Sequence, residues 1–135
     1  MWTSWLNQSS LPALEQVTAF SEKRHLLLAG NIANIDTPDY TTRDLSVDNF
    51  HAALKNYVDD QAAGYSTTNS PSAQQGMDKV RDIQNQILYH DGSDVSLEEQ
   101  VTQLSKNQAM HNTAVALMRS QFQTLQIAIR ESVAV

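Results

Sequence analysis

The sequence contains no cysteine, few prolines and glycines, and no long hydrophobic run. Without a thiol, the chain has neither disulfide bonds nor a cysteine nucleophile. Its apolar runs fall far short of the roughly 20 residues that cross a bilayer as a helix, which argues against a membrane-spanning protein. The first residues lack the basic and apolar regions of a secretory signal, so we expect no cleaved signal peptide. The length of 135 residues fits a single domain.

Positive charge is scarce, because nine basic residues accompany fifteen acidic ones and the net charge is −6. This balance argues against a nucleic-acid-binding protein, which would carry a basic surface. The acidity is concentrated in residues 36–99, where twelve acidic and four basic residues give −8, whereas residues 1–35 sum to zero and residues 100–135 to +2. Uncharged polar residues make up a third of the chain. Ends that are polar but uncharged suit helix surfaces that lie against other protein.

Hydrophobic periodicity is clearest in the C-terminal third, where the seam positions alternate steps of four and three. This heptad pattern predicts one helix, roughly 50 Å long, with a coiled-coil-like seam. Ser96 and Glu99 form a capping-box pattern at its start. The seam positions predicted as an interface are Leu97, Val101, Leu104, Gln108, His111, Val115, Met118, Phe122, Leu125 and Ile129.

A second helix is predicted from Leu11 to Asn34. Ser10 is a candidate N-cap, and Pro12 is tolerated in the first turn. Pro38 ends the helix, because proline disfavours the α conformation in the residue before it. The seam of this helix comprises Leu14, Val17 and Leu28. Since neither helix hides its apolar stripe alone, we expect the two helices to pack against each other.

The predicted fold is mainly α, with the long terminal helices packed as an antiparallel coiled-coil-like hairpin and an irregular acidic middle of little regular structure. Within the middle, residues 48–58 are compatible with a short helix, and residues 61–76 predict an exposed, mobile loop because they are polar and contain glycine and proline. The expected organisation is an N-terminal helix in residues 1–35, the middle segment in 36–96 and the C-terminal heptad helix in 97–135.

No motif in the sequence predicts catalysis. There is no glycine-rich phosphate loop and no nucleophile elbow. The four histidines are His25, His51, His90 and His111, and they lie far apart in the sequence, so a metal site among them is not expected. We therefore expect a protein that is not an enzyme and that has no cofactor, no metal and no small-molecule substrate.

Two polar residues, Gln108 and His111, occupy seam positions where apolar side chains are expected. Two interpretations stay open: they lie partly exposed or against a neighbouring helix, or they are buried and fix the register between packed helices. Arg24 and Asn31 interrupt the N-terminal seam in a similar way. Polar residues in both seams favour assembly through specific hydrogen bonds in addition to apolar burial.

The segment NIANIDTPDY, at the end of the first helix, resembles the signature of flagellar basal-body rod proteins. A second stretch, residues 91–99, is similar to the segment that precedes the C-terminal helix in that family. The family usually has Ser in place of Gly30 and Gly in place of Asp39. The small size of the chain implies a proximal rod subunit. The matching residues, interpreted as an assembly motif, are Asn31, Ile32, Ala33, Asn34, Asp36, Thr37, Pro38 and Tyr40.

The resemblance implies a structural protein that polymerises through its terminal helices, links the membrane ring to the rest of the rod and transmits torque. It also implies export without a cleaved signal through the flagellar type III apparatus, and a location in the rod within the periplasm. The implied partners are other copies of the chain, other rod proteins, the membrane-ring protein and the export apparatus.

The alternative is a free helical-hairpin binding module, such as a flagellar export adaptor or chaperone. Such a module would use the same seam to hold a client protein. It would be folded at low concentration, whereas the terminal helices of a rod subunit would fray until the subunit assembles.

Overall fold

A computed structural model describes residues 9–63, 71–82, 87–88 and 96–133 of the chain. The structure is mainly helical, as the sequence predicts. Its elements, in order, are helix α1 (Leu11–Ala33), strand β1 (Arg43–Asp44), helix α2 (Val47–Ala62), helix α3 (Pro71–Arg81), strand β2 (Ile87–Leu88) and helix α4 (Leu97–Val133). Strands β1 and β2 pair antiparallel, so that residues 43 and 44 lie opposite residues 88 and 87.

Helix α1 begins after Ser10 and carries Pro12 in its first turn. The Ser10 side chain forms no cap hydrogen bond; instead the hydroxyl of Ser9 accepts a hydrogen bond from the Leu11 N–H at 3.3 Å. At the other end the Asn34 side-chain amide donates to the Gly30 carbonyl at 2.8 Å, which satisfies one of the last carbonyls of the helix.

Helix α4 has 37 residues and begins after Ser96. The Ser96 hydroxyl accepts a hydrogen bond from the Glu98 N–H at 3.2 Å, one residue before the Glu99 N–H that a capping box uses. Glu98 and Glu99 place negative charge at the positive end of the helix dipole. None of the helices in the described ranges is long and apolar enough to cross a membrane.

The two long helices lie side by side in opposite directions. Ser10 at the start of α1 is hydrogen-bonded to Gln121 in the second half of α4. Asn31 near the end of α1 is hydrogen-bonded to Gln100 in the first turn of α4. The predicted antiparallel hairpin is therefore confirmed.

A compact apolar core lies on another side of α1, where α2, α3 and the β1 segment pack. The Phe20 and Phe50 rings stack with centroids 3.9 Å apart and planes 10° from parallel. Leu45, Tyr57 and Met77 complete the cluster of buried apolar side chains. The middle of the chain is thus anchored on α1 by apolar burial.

The middle segment contains more helix than the sequence analysis predicts. Helix α2 extends beyond residues 48–58, and residues 71–76 of the predicted loop belong to α3, whereas residues 64–70 lie outside the described residues. The physical reason is that Met77 is fully buried in the core and Val80 packs against it, one turn later on the same face of α3. The burial of Met77 and Val80 therefore stabilises α3, although the first turn of this helix is polar.

Candidate functional site: the hairpin of α1 and α4

A buried ion pair connects α1 to β1. The Arg24 guanidinium binds the Asp44 carboxylate at both ends, Nε to Oδ1 at 2.7 Å and Nη2 to Oδ2 at 2.6 Å. Arg24 Nη2 also donates to Gln103 Oε1 of α4 at 3.1 Å. The two charged side chains are each 7% exposed, so the pair is shielded from water. The planar fork of arginine fixes the relative position of three elements at this point.

Asn31 is a second junction, in the last turn of α1. Its Nδ2 donates to the Arg43 carbonyl at 2.7 Å and to Gln100 Oε1 at 3.0 Å. Its Oδ1 accepts from the Tyr40 hydroxyl and from the Arg43 N–H, both at 3.1 Å. The side chain is completely buried, and all four hydrogen bonds that an amide forms are present. No other amino acid offers this combination of donors and acceptors at this length.

The signature segment folds into two successive turns that return the chain toward Asn31. The Thr37 N–H donates to the Asn34 carbonyl at 2.9 Å, and the Tyr40 N–H donates to the Thr37 carbonyl at 3.2 Å. Pro38 occupies the second position of the latter turn, and Asp39 has a φ of 61°. Proline followed by a residue with positive φ is typical of a type II turn, which favours glycine at the third position. The turn brings the Tyr40 hydroxyl to Asn31.

Burial differs among the signature residues. Asn31 is buried, Ile32 and Asn34 are half-buried, and Tyr40 is 37% exposed. The remaining members are exposed: Ala33, Asp36, Thr37 and Pro38. Within one copy the signature therefore forms a buried junction and an exposed turn.

The predicted seam positions lie on two adjacent faces of the hairpin. Those that are half-buried or buried are Leu14, Val17, Leu28, Leu104, His111, Val115, Met118 and Leu125. Those that are exposed are Leu97, Val101, Gln108, Phe122 and Ile129. Within a single copy, the α1 helix thus covers only part of the predicted C-terminal seam.

Polar residues of α4 occupy the positions between α4 and α1 that the sequence analysis missed. Gln100 and Asn107 are buried, seven residues apart, and the next residues in that series are Ala114, also buried, and the half-buried Gln121. Two of them form hydrogen bonds with α1: Gln100 Oε1 accepts from Asn31 Nδ2 at 3.0 Å, and Asn107 Nδ2 donates to the Ser21 carbonyl at 2.7 Å. The signal in the sequence is the seven-residue spacing of these polar and small residues, one position before the predicted ones.

A groove with a volume of about 220 Å³ lies between the middle of α1 and the first half of α4. It is lined by Ser21, Glu22, His25, Asn107, Gln108 and His111, together with Leu26. Ser21 Oγ lies 2.9 Å from the Thr18 carbonyl and 3.0 Å from His111 Nδ1. Since the single hydroxyl proton goes to the carbonyl, we assign a proton to His111 Nδ1, which donates to Ser21 Oγ; in this tautomer Nε2 is an acceptor.

We call the polar residues of α4 that face α1 the polar seam. Beside it on α4 lies an apolar row, the α4 row, which comprises Leu97, Val101, Phe122 and Ile129. Each of these side chains keeps between 44% and 52% of its surface exposed. Val101, Phe122 and Ile129 are separated by multiples of seven residues, so they lie along one line of the helix. Exposed apolar side chains in a line are typical of a surface that contacts other protein.

The described residues include no group of three or more His, Asp or Glu side chains that would hold a metal ion.

The chain is 25% identical over 114 residues to the flagellar basal body rod protein FlgB of Aquifex aeolicus (strain VF5), and the match covers 82% of this chain and 85% of that protein. No family model and no solved structure matches the chain. The similarity to FlgB agrees with the signature at residues 31–40 and supports a relationship to flagellar rod proteins.

Proposed function

We propose that this protein is a structural subunit of a bacterial flagellar basal-body rod, in which the terminal helices of many copies or of related subunits pack side by side. Two independent lines support the proposal: the similarity to FlgB and the α4 row, which a single copy leaves exposed. Its small size favours the proximal part of the rod, between the membrane ring and the more distal subunits. In that position the subunit would lie in the periplasm and transmit torque.

The α4 row is the observation that carries the proposal. Fully burying a large apolar side chain contributes about 1.5–3 kcal/mol. Each residue of the row is already half-covered, so covering the rest contributes about 1 kcal/mol per residue, and this gain recurs at every contact of a polymer. Such a contact between unlike surfaces of two copies leaves a free surface at each end, and it produces a helical filament when the rotation between copies does not close a ring.

The proposed partners are further copies of the chain, other rod proteins and the membrane-ring protein. Delivery to the periplasm would use the flagellar type III export apparatus, without a cleaved signal. In the turn at residues 34–40, residues 36–40 are exposed beside the fixed junction at Asn31, which suits a role in positioning one subunit against the next.

The first test replaces Phe122 with Asp in the bacterium that carries the gene, because a carboxylate in a packed apolar contact is strongly unfavourable. We expect the deletion strain and the F122D strain to be non-motile, with membrane rings but no rod in electron micrographs of basal bodies. The matched control is V58D, which makes the same kind of change at an exposed site of α2.

The intact gene and the V58D variant should restore the rod. Complete rods in the deletion strain would contradict the proposal and favour the free binding module. Rods in the F122D strain alone would contradict the assignment of the α4 row.

A further inference from the structure

We propose that the groove between α1 and α4 receives Arg119 of a second copy, so that Arg119 of one copy lies beside Glu22 of the next. This inference rests on the proposed function, because it names the contact through which copies join. It is drawn from three features: the placement of the charges on the hairpin, their lack of partners, and the acceptors in the groove.

Helix geometry places the two arginines of α4 in line with the groove. Gln108 lines the groove, and Arg119 and Arg130 follow at intervals of eleven residues. Eleven residues make about three helical turns, so the three residues lie on one face of α4. On α1, Glu22 lines the groove and Glu15 lies seven residues earlier, about two turns away on the same face. This side of the hairpin therefore has an acidic α1 edge and a basic α4 edge.

Neither charge is satisfied within one copy. Glu22 and Arg119 are both exposed, and neither forms an ion pair within the described residues. The residues three and four positions from Arg119 are Val115, Ala116, Phe122 and Gln123, none of which is acidic. Within the described residues Arg119 therefore faces solvent, and a second copy offers it a carboxylate at its α1 edge.

The groove has the chemistry that a guanidinium group needs. Glu22 supplies a carboxylate, Gln108 a side-chain carbonyl and His111 the Nε2 acceptor assigned above. A guanidinium carries five N–H donors in a rigid fork and suits several acceptors at once. The volume of about 220 Å³ would hold several water molecules, so there is room for the end of a long side chain.

The contact is also continuous with the α4 row. Arg119 precedes Phe122 by three residues, so both lie on adjoining surface of α4. Docking Arg119 beside Glu22 would carry Phe122 of the same copy onto the neighbour's hairpin. Polar pairing would then set the register of a contact whose area comes from apolar residues.

Charge reversal tests the pairing with purified full-length chain. The variants are E22R and R119E, each alone and then mixed in equal amounts, and assembly is followed by sedimentation and by electron microscopy. Lys106→Glu is the matched control, because Lys106 is an exposed base of α4 that lies about half a turn away from the Arg119 face.

Each reversal alone is expected to raise the concentration needed for assembly about tenfold, since like charges would meet at the contact. The mixture should assemble as the unaltered chain does, because the arginine introduced by E22R in one copy meets the glutamate introduced by R119E in the next. K106E should assemble normally.

Normal assembly of both single variants, or a mixture no better than either variant alone, would overturn the pairing while the proposed function stands. If the unaltered chain forms no particle larger than a closed pair, the proposed open polymer fails. If the unaltered chain forms a closed pair, the charge-reversal results still decide the Arg119–Glu22 contact within it, and if it stays monomeric, the contact is overturned as well.

Discussion

Helix α1 takes part in two interfaces whose chemistry differs. Toward α2 and α3 it contributes Phe20, which stacks on Phe50 in a cluster of buried apolar side chains. Toward α4 it contributes Ser21, Arg24 and Asn31, which form hydrogen bonds across the seam or to the chain beside it. One helix thus has an apolar side and a polar side, less than half a turn apart at residues 20 and 21.

The apolar and the polar interface of α1 contribute differently to folding. Apolar burial is non-directional and contributes most of the free energy that folds a small domain. Hydrogen bonds contribute only about 0.5–1.5 kcal/mol each, but they are satisfied in a single register. The core therefore stabilises the fold, whereas the polar seam specifies how α4 lies on α1 and which apolar residues of α4 remain on the outside.

Replacing Phe20 with Ala should have the largest effect on folding. The ring is fully buried and stacked, so its removal leaves a cavity and lowers the free energy of unfolding by about 3–5 kcal/mol. Urea denaturation followed by circular dichroism would measure the loss. L26A is the control, because Leu26 is 67% exposed on the same helix and its truncation should change stability by under about 0.5 kcal/mol. Equal losses for the two variants would contradict the core assignment.

Replacing Asp44 with Ala tests the polar side of the comparison. The change leaves the Arg24 guanidinium buried with Gln103 as its remaining side-chain partner, and we expect a loss of about 3 kcal/mol in the free energy of unfolding. D78A is the matched control, since Asp78 pairs with Arg81 at 2.8 Å but is 61% exposed. Its loss should stay below about 1 kcal/mol.

A double variant sharpens this test. If R24M combined with D44L destabilises less than D44A alone, the loss in D44A comes mainly from an unpaired buried charge. If the double variant lowers the free energy of unfolding by the sum of the losses in R24M and D44L, the ion pair does not couple the two residues. The packing of α4 on α1 would then be stabilised by its other contacts.

The two terminal helices are predictable from the sequence because local signals define them. Pro12 and Ser96 mark the helix starts, and the long apolar repeat identifies α4. The register of the seam was only half predictable. The heptad pattern predicts Val101, Gln108 and Phe122 as seam residues. In the structure Gln100 and Asn107 face α1, where they form hydrogen bonds with Asn31 and Ser21.

The junction at Asn31 could be recognised as a signature but its role could not be derived. Its partners, Tyr40, Arg43 and Gln100, lie nine, twelve and sixty-nine residues away, and hydrogen bonds at such separations depend on the finished fold. The sequence does not predict helix α3 for a related reason. Met77 is the main apolar residue in a polar stretch, and its burial depends on the distant Phe20 and Phe50.

The smallest expected effect concerns Gly30, where α1 passes the signature turn. A Cβ built at this position would lie 3.9 Å from the Tyr40 hydroxyl oxygen, an ordinary contact, so Ala fits without displacing Tyr40. Gly30→Ala should raise the free energy of unfolding by about 0.5–1 kcal/mol, because glycine is unfavourable inside a helix. G76A in α3 is the control, since a Cβ there meets nothing within 4 Å and should give a similar gain. A lower free energy of unfolding in G30A together with a higher one in G76A would mean that a Cβ at position 30 disturbs the hydrogen bond between Tyr40 and Asn31. The contact between the signature turn and α1 would then tolerate less added volume than the distance of 3.9 Å indicates.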